Sequence, residues 1–113
     1  MAKIRRYNGS YILEINNGLI REYNGSYLYS YDNEKIRRYN GLYEYTTDGK
    51  YVRRYNGNYI LEFDGRRLRR YNGLYIAEVV DNKIREYNGN YLYQIDGFIT
   101  NRELIFLLTL LFA

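Results

Sequence analysis

A mainly β fold, an antiparallel meander of six tandem 16-residue hairpins finished by one apolar helix, follows from three observations on the sequence. Tyr-Asn-Gly recurs at residues 7, 23, 39, 55, 71 and 87, a spacing of 16 without insertion or deletion. A second turn signal lies about eight residues from each Tyr-Asn-Gly. The repeat stops at residue 98, and from Leu104 to Ala113 the only polar side chain is Thr109. Two segments result, a repeat domain over 3–98 and a C-terminal capping or oligomerisation helix over 99–113.

The hairpins come from turn chemistry. The consensus Lys-Ile-Arg-Arg-Tyr-Asn-Gly-Ser-Tyr-Ile-Leu-Glu-Ile-Asp-Gly-x sets Asn-Gly and Asp-Gly between runs rich in Ile, Tyr, Leu and Val. Both dipeptides tolerate the positive φ of tight hairpin turns. The second turn reads Asn16-Asn17, Asp32-Asn33, Asp48-Gly49, Asp64-Gly65, a slipped Val80-Asp81-Asn82, and Asp96-Gly97. Six hairpins give about 12 short strands, each ~6 residues long.

With a two-residue turn at Asn8-Gly9, Arg6 faces Tyr11, Arg5 faces Ile12 and Ile4 faces Leu13. Alternation then puts Ile4, Arg6, Tyr11, Leu13 and Ile15 on a buried face and Lys3, Arg5, Tyr7, Ser10, Ile12 and Glu14 on a solvated one. The second tyrosine column, residues 11, 27, 43, 59, 75 and 91, falls on the buried face beside Arg6, Glu22, Arg38, Arg54, Arg70 and Glu86. A three-residue turn would shift the register and mix the faces.

The tail carries a helix-start signature. Thr100 and Glu103 form a capping box with Ile99 and Leu104 as its hydrophobic staple, so a helix should begin near residue 101. Leu104, Ile105, Phe106, Leu107, Leu108, Leu110, Leu111 and Phe112 make it apolar all round, which requires burial all round. At ~18 Å it is too short to span a bilayer. It packs on the sheet, seeds a homo-oligomer, or serves a membrane role. An open, twisted or curled sheet over this helix is expected rather than a closed barrel, because identical two-residue turns joining equal strands generate none of the stagger closure needs. The two free edges of such a sheet invite pairing with a second copy.

The RRYNG units with a short hydrophobic tail resemble uncharacterised bacterial proteins built from Tyr/Arg-rich 16-residue hairpin repeats. That resemblance spans the chain and implies no activity.

Composition narrows the chemistry. The 113 residues include no Cys and no His, which excludes thiol nucleophiles, disulfides, imidazole bases and the usual zinc ligands. No catalytic residue, metal site or cofactor is expected. Equivalent repeats cannot give two carboxyls the unlike environments of acid–base catalysis, and each glycine is isolated at a turn with no helix start behind it. The opening MAKIRRYNG is too charged for a secretory signal, so the chain is expected in the cytoplasm without a membrane span.

Two rows are candidate binding residues: Arg5, Arg21, Arg37, Arg53, Arg69 and Arg85, and Tyr7, Tyr23, Tyr39, Tyr55, Tyr71 and Tyr87. Guanidinium groups beside exposed rings suit phosphates and stacked bases, and the formal charge of +4 agrees in sign. The expected function is a non-enzymatic scaffold that self-associates through the helix or the sheet edges. Polyanion or single-stranded nucleic acid binding through the Arg and Tyr rows, and glycan-polymer binding through the Tyr ladder, are the alternatives.

Overall fold

A computed structural model describes residues 1–113. Its strands are β1 (Ala2–Arg6), β2 (Tyr11–Asn16), β3 (Leu19–Glu22), β4 (Tyr27–Tyr31), β5 (Lys35–Arg38) and β6 (Tyr43–Thr47), followed by β7 (Tyr51–Arg54), β8 (Tyr59–Phe63), β9 (Arg67–Arg70), β10 (Tyr75–Val80), β11 (Lys83–Glu86) and β12 (Tyr91–Gly97). A single helix, α1 (Asn101–Phe112), follows. Each strand pairs antiparallel with its sequence neighbours, as the hairpin repeat requires.

The meander does not stay open. β1 pairs with β12 and closes the sheet into a 12-stranded barrel. The expectation of an open sheet fails because the two strands of each unit are unequal. Strands entering the second turn have five to seven residues, whereas β3, β5, β7, β9 and β11, which leave it, have four. That turn sits one residue later than the sequence suggested, at Asn17-Gly18 (φ 51° and 82°) and Asp81-Asn82 (φ 50° and 64°).

Stagger therefore accumulates. Ile4 faces Leu13 and Leu13 faces Glu22, the counterpart of Arg6 one unit on, so each repeat displaces the register by two residues. Six such steps give a shear of 12 residues for 12 strands. One residue of rise (~3.3 Å) per inter-strand step (~4.8 Å) means a strand tilt of roughly 35° and a radius of roughly 11 Å. At the seam Ile4 faces Ile95, which repeats the Ile20–Ile15 pairing of every other junction. β1 fills the place a seventh unit would take.

The other turn also departs from expectation. The Arg6 N–H donates to the Ser10 carbonyl at 3.1 Å and the Gly9 N–H to the Arg6 carbonyl at 2.8 Å, so Tyr7-Asn8-Gly9 is a three-residue loop with Asn8 at φ 59°. The extra residue is absorbed as a bulge. Partners jump from Ile4–Leu13 to Arg5–Tyr11, and Ile12 is left unpaired and tucked against the core. Beyond the bulge the faces exchange. Tyr11 and its counterparts project outward, and Arg6 is exposed at the barrel mouth rather than buried.

Inside, Ile4, Ile20, Ile36, Val52, Leu68 and Ile84 form a fully buried ring, with Ile15, Phe63 and Ile95 in a second layer. A radius near 11 Å leaves, inside the inward side chains, a bore of about one helix diameter, ~10–12 Å. Helix α1 fills it. Ile105 to Thr109 are five consecutive buried residues, a pattern only a fully surrounded helix produces. The Thr109 hydroxyl donates to the Ile105 carbonyl at 2.8 Å and the buried Thr47 hydroxyl to the Tyr51 carbonyl at 2.8 Å, so both threonines inside are satisfied.

The capping box forms as read. The Glu103 N–H donates to Thr100 Oγ1 at 3.1 Å and the Thr100 N–H to Glu103 Oε1 at 2.9 Å. Arg102 bridges the helix start to the barrel lip, donating to the carbonyls of Asn33, Thr47 and Asp48. The helix thus enters from the second-turn end and points its C-terminus at the Tyr-Asn-Gly mouth. No helix is long and apolar enough to cross a membrane. As for the strands, four to seven residues fall short of the ~9–11 of a membrane barrel, and the polar wall faces outward where such a barrel needs apolar residues.

Candidate functional site on the outer wall

The bulge brings both tyrosine columns onto one surface. Each second-column ring meets the first-column ring of the next unit: Tyr11–Tyr23 at 5.0 Å between centroids, Tyr27–Tyr39 at 5.1 Å, Tyr43–Tyr55 at 5.3 Å, Tyr59–Tyr71 at 5.2 Å and Tyr75–Tyr87 at 4.9 Å. Tyr91 closes the circle on Tyr7 at 5.2 Å across the seam. Offset ring pairs at this spacing are attractive by roughly 0.5–1.5 kcal/mol each. Ring exposure runs up to 48%, at Tyr59, so the belt is open to solvent.

With repeat positions numbered by the residue they hold in the first unit, position three sits over these pairs. Lys3 lies 5.7 and 5.6 Å from the Tyr11 and Tyr23 rings, Lys35 lies 5.2 and 5.8 Å from Tyr43 and Tyr55, and Lys83 lies 5.9 and 5.6 Å from Tyr7 and Tyr91. Arg67 takes the place at 5.3 Å from Tyr75. At the same position Tyr51 meets Tyr59 and Tyr71 edge-on. These cation–ring contacts are those expected of amphipathic side chains over aromatic faces. Sequence reasoning missed this lysine row and placed the second tyrosine column inside. The signal was the Tyr-Asn-Gly loop, read as two residues where three are used.

The arginine row lies one step below the tyrosines, half-buried, and each guanidinium faces position 14 of the preceding unit. Arg21 meets Glu14 at 3.1 Å, Arg69 meets Glu62 at 3.0 Å and Arg85 meets Glu78 at 3.8 Å. Arg5 donates to Gln94 at 2.9 Å and lies 3.4 Å from Asp96. Arg37 donates to the Ser30 hydroxyl at 3.2 Å. Arg53 faces Thr46. Partly exposed pairs of this kind contribute about 1 kcal/mol or less each, yet they neutralise much of the row.

The turn aspartates act on their own backbone. Asp32, Asp48 and Asp64 each accept from the N–H groups two and three residues on, at 2.7–2.9 Å. Those bonds hold all three carboxyls below the usual aspartate range. Asp96 differs, accepting from Tyr11 Oη at 2.8 Å. Burial pushes Glu103 up, but the Thr100 N–H and the Tyr31 hydroxyl outweigh it and leave the carboxyl low.

A folded-state pKa below the unfolded value gives stability that is complete above that value and disappears as pH falls through the folded one. The barrel is therefore expected to hold its urea midpoint from neutrality to about pH 4 and lose it steadily below. Replacing Asp32, Asp48 and Asp64 together by Asn should flatten that acid slope. An unchanged slope would show that these turns do not set it.

Of the sequence-predicted residues, the Arg and Tyr rows lie together on the outer wall. Ile105 to Leu108 lie inside the barrel, while Leu104, Leu110, Leu111 and Phe112 are half-buried at its ends. Comparison of the chain with models of known families, with characterised proteins and with solved structures finds no match, so the reading of the wall rests on its own geometry.

Proposed function

We propose that the protein is a non-enzymatic scaffold whose outer wall binds an anionic polymer, single-stranded nucleic acid before others. One observation carries this reading. Six tyrosine pairs, most of them under a cation, recur two strands apart around a rigid barrel. Rings supply faces for bases and cations meet phosphates, and a repeated spacing of ~9–10 Å suits a polymer better than a small molecule. The formal charge of +4 favours an anionic ligand.

The test is fluorescence anisotropy with a labelled oligothymidylate over a range of salt. Each neutralised phosphate contributes about −0.7 to the slope of log K against log salt, so engagement of three neighbouring grooves predicts a slope near −2. Tyr59→Ala with Tyr71→Ala should remove one stacking platform, worth about 1–3 kcal/mol of binding per base. Salt-independent binding, or no binding at low salt, would rule the reading out. Equal affinity for a sulfated glycan of matched charge would reduce it to charge attraction without base stacking.

A second reading, self-association, keeps one physical basis. Closure pairs both sheet edges, and the helix lies inside with its two ends half-buried, so an association would have to use the ends of the barrel. What supports association now is the Tyr-Asn-Gly mouth, where the helix ends with Leu110, Leu111 and Phe112 half-buried; Leu13, Tyr29, Tyr45 and Tyr93 of the strands are likewise only partly covered. Two barrels stacked mouth to mouth would cover it. Solution scattering that reports a single-barrel mass at every concentration would exclude this.

A further inference from the structure

The six grooves below the tyrosine belt share their arginine and differ at two positions: that of Lys3, which reads Lys3, Leu19, Lys35, Tyr51, Arg67 and Lys83, and repeat position 14, which reads Glu14, Ser30, Thr46, Glu62, Glu78 and Gln94. Each groove sets this residue between position three of its own hairpin and the arginine of the next strand. Glu14, Glu62 and Glu78 each put a carboxylate against that arginine. Beside Gln94, Asp96 supplies one to Arg5. The Ser30 groove holds Leu19 and Arg37, and Arg37 is occupied by the Ser30 hydroxyl and, at 3.3 Å, by the Gly41 carbonyl.

The Thr46 groove is unlike the rest. Lys35 and Arg53 flank Thr46 from either side, two cations with no carboxylate at the position between them. Arg53 is the one member of its row with no ion pair, no side-chain hydrogen bond and no ring beneath its guanidinium. The other five are held by the partners named above, and Arg21, Arg37, Arg69 and Arg85 also lie 5.6–5.8 Å from Tyr27, Tyr43, Tyr75 and Tyr91. The half-buried Arg53 opens into a groove of about 360 Å³ together with Lys35, Thr46, Tyr55, Asn56 and Tyr59. With no acceptor from the protein, the Arg53 guanidinium keeps its fork of five donors for an oxyanion from outside, the group whose geometry it matches.

Two carboxylates also border this groove, Glu34 and Asp48. Asp48 is engaged by the Lys50 and Tyr51 N–H groups at 2.9 and 2.8 Å, and Glu34 is exposed at the lip. Neither pairs with Arg53, and both disfavour more than one added negative group in the groove.

From these features we infer that the Lys35–Thr46–Arg53 groove is a single oxyanion site that seats one phosphate group. Arg53 donates a two-pronged pair of hydrogen bonds, the Thr46 hydroxyl donates a third and the Lys35 ammonium neutralises charge. Tyr59 borders the same groove and offers a ring against which a base carried on the phosphate can stack. This rests on the nucleic-acid reading and deepens it. The wall is not six equal sites but a graded belt with one fixed anchor, which sets the register of a bound strand.

The repeats supply their own controls, because Glu and Thr both occur naturally at position 14 and neither exchange disturbs the core. Thr46→Glu should pair with Arg53 as Glu14 does with Arg21 and close the site. Glu14→Thr should open a second one between Lys3 and Arg21. Titration of the full chain with inorganic phosphate, followed by NMR of backbone amides and arginine Nε–H groups, should shift Arg53 and Thr46 along one saturating curve. Thr46→Glu should weaken that binding at least about tenfold, the loss of a hydrogen bond to a charged group. Glu14→Thr should add a second responsive arginine, Arg21.

Shifts spread evenly over the six arginines, no saturable shift, or an unchanged curve for Thr46→Glu would each overturn the inference. The oligothymidylate titration separates the two claims. Strand binding that survives Thr46→Glu undiminished overturns the anchor and leaves the nucleic-acid reading standing. Phosphate bound at Arg53 with no strand binding at any salt overturns the nucleic-acid reading while the anion site remains.

Discussion

A chain lacking residues 99–113 is expected to lose the barrel altogether rather than to become a hollow version of it. Ile105, Phe106, Leu107 and Leu108 are fully buried against the inner rings. Burying four such side chains contributes roughly 6–12 kcal/mol, and a domain of this size has about 5–15 kcal/mol of net stability. Without the helix the rings around Ile4, Ile20 and Ile36 would face a bore wide enough to admit water. Circular dichroism and thermal melting of the truncated chain should show no cooperative transition. Phe106→Ala grades the same effect, since it leaves a cavity beside Tyr31, whose ring lies 5.9 Å away. It should cost about 3–5 kcal/mol by urea unfolding. A truncated chain that melts cooperatively with its strand signal intact would mean that the sheet closes without its plug.

The hairpins, the C-terminal helix and its capping box were legible because each rests on chemistry within a few residues: positive φ at Asn8 and its counterparts, and reciprocal bonds between Thr100 and Glu103. Closure was not legible, because it depends on a register difference of two residues per repeat. That difference follows from placing the second turn at Asn17-Gly18 instead of Asn16-Asn17, where the three consecutive turn formers 16 to 18 make either choice chemically sound. The slipped turn at Asp81-Asn82 was the informative unit. There Val80 stands where the earlier turn former would be, so the sequence leaves Asp81-Asn82 as the turn the barrel uses, and it looked like the exception.

The wall was half legible for a related reason. Arg5 and Tyr7 precede the loop and fall on the outer face in either register, whereas Tyr11 follows it and changes face with one extra residue. A two-residue loop would have put six tyrosine rings into a bore that has room for one helix. Volume inside the barrel therefore supports the bulge independently of turn preferences. Arg53 illustrates a further limit. Its row is uniform in sequence, and its isolation emerges only when the register shows that Thr46, not a glutamate, lies opposite.

Gly97→Ala is expected to be the most disruptive small substitution in the barrel, and Gly65→Ala measures how much of its effect belongs to the seam. Both glycines have φ of +98°, so an added side chain strains the backbone equally at the two positions, by roughly 1–3 kcal/mol. At Gly65 the new Cβ meets nothing within 4 Å. At Gly97 it would stand 2.5 Å from the Met1 carbonyl oxygen and 3.3 Å from the Ala2 Cα, both backbone atoms that cannot turn aside. Relief requires β1 to move off β12 where Ala2 faces Gly97, and that pairing is the one that joins the two ends of the sheet. Gly97→Ala should therefore lower the urea midpoint well beyond Gly65→Ala. It should also expose two strand edges, making sedimentation concentration-dependent as separate copies pair. Equal losses for the two variants, with both monomeric, would show that the chain ends can part at the seam without opening it. Closure would then be maintained by the helix inside rather than by the β1–β12 pairing.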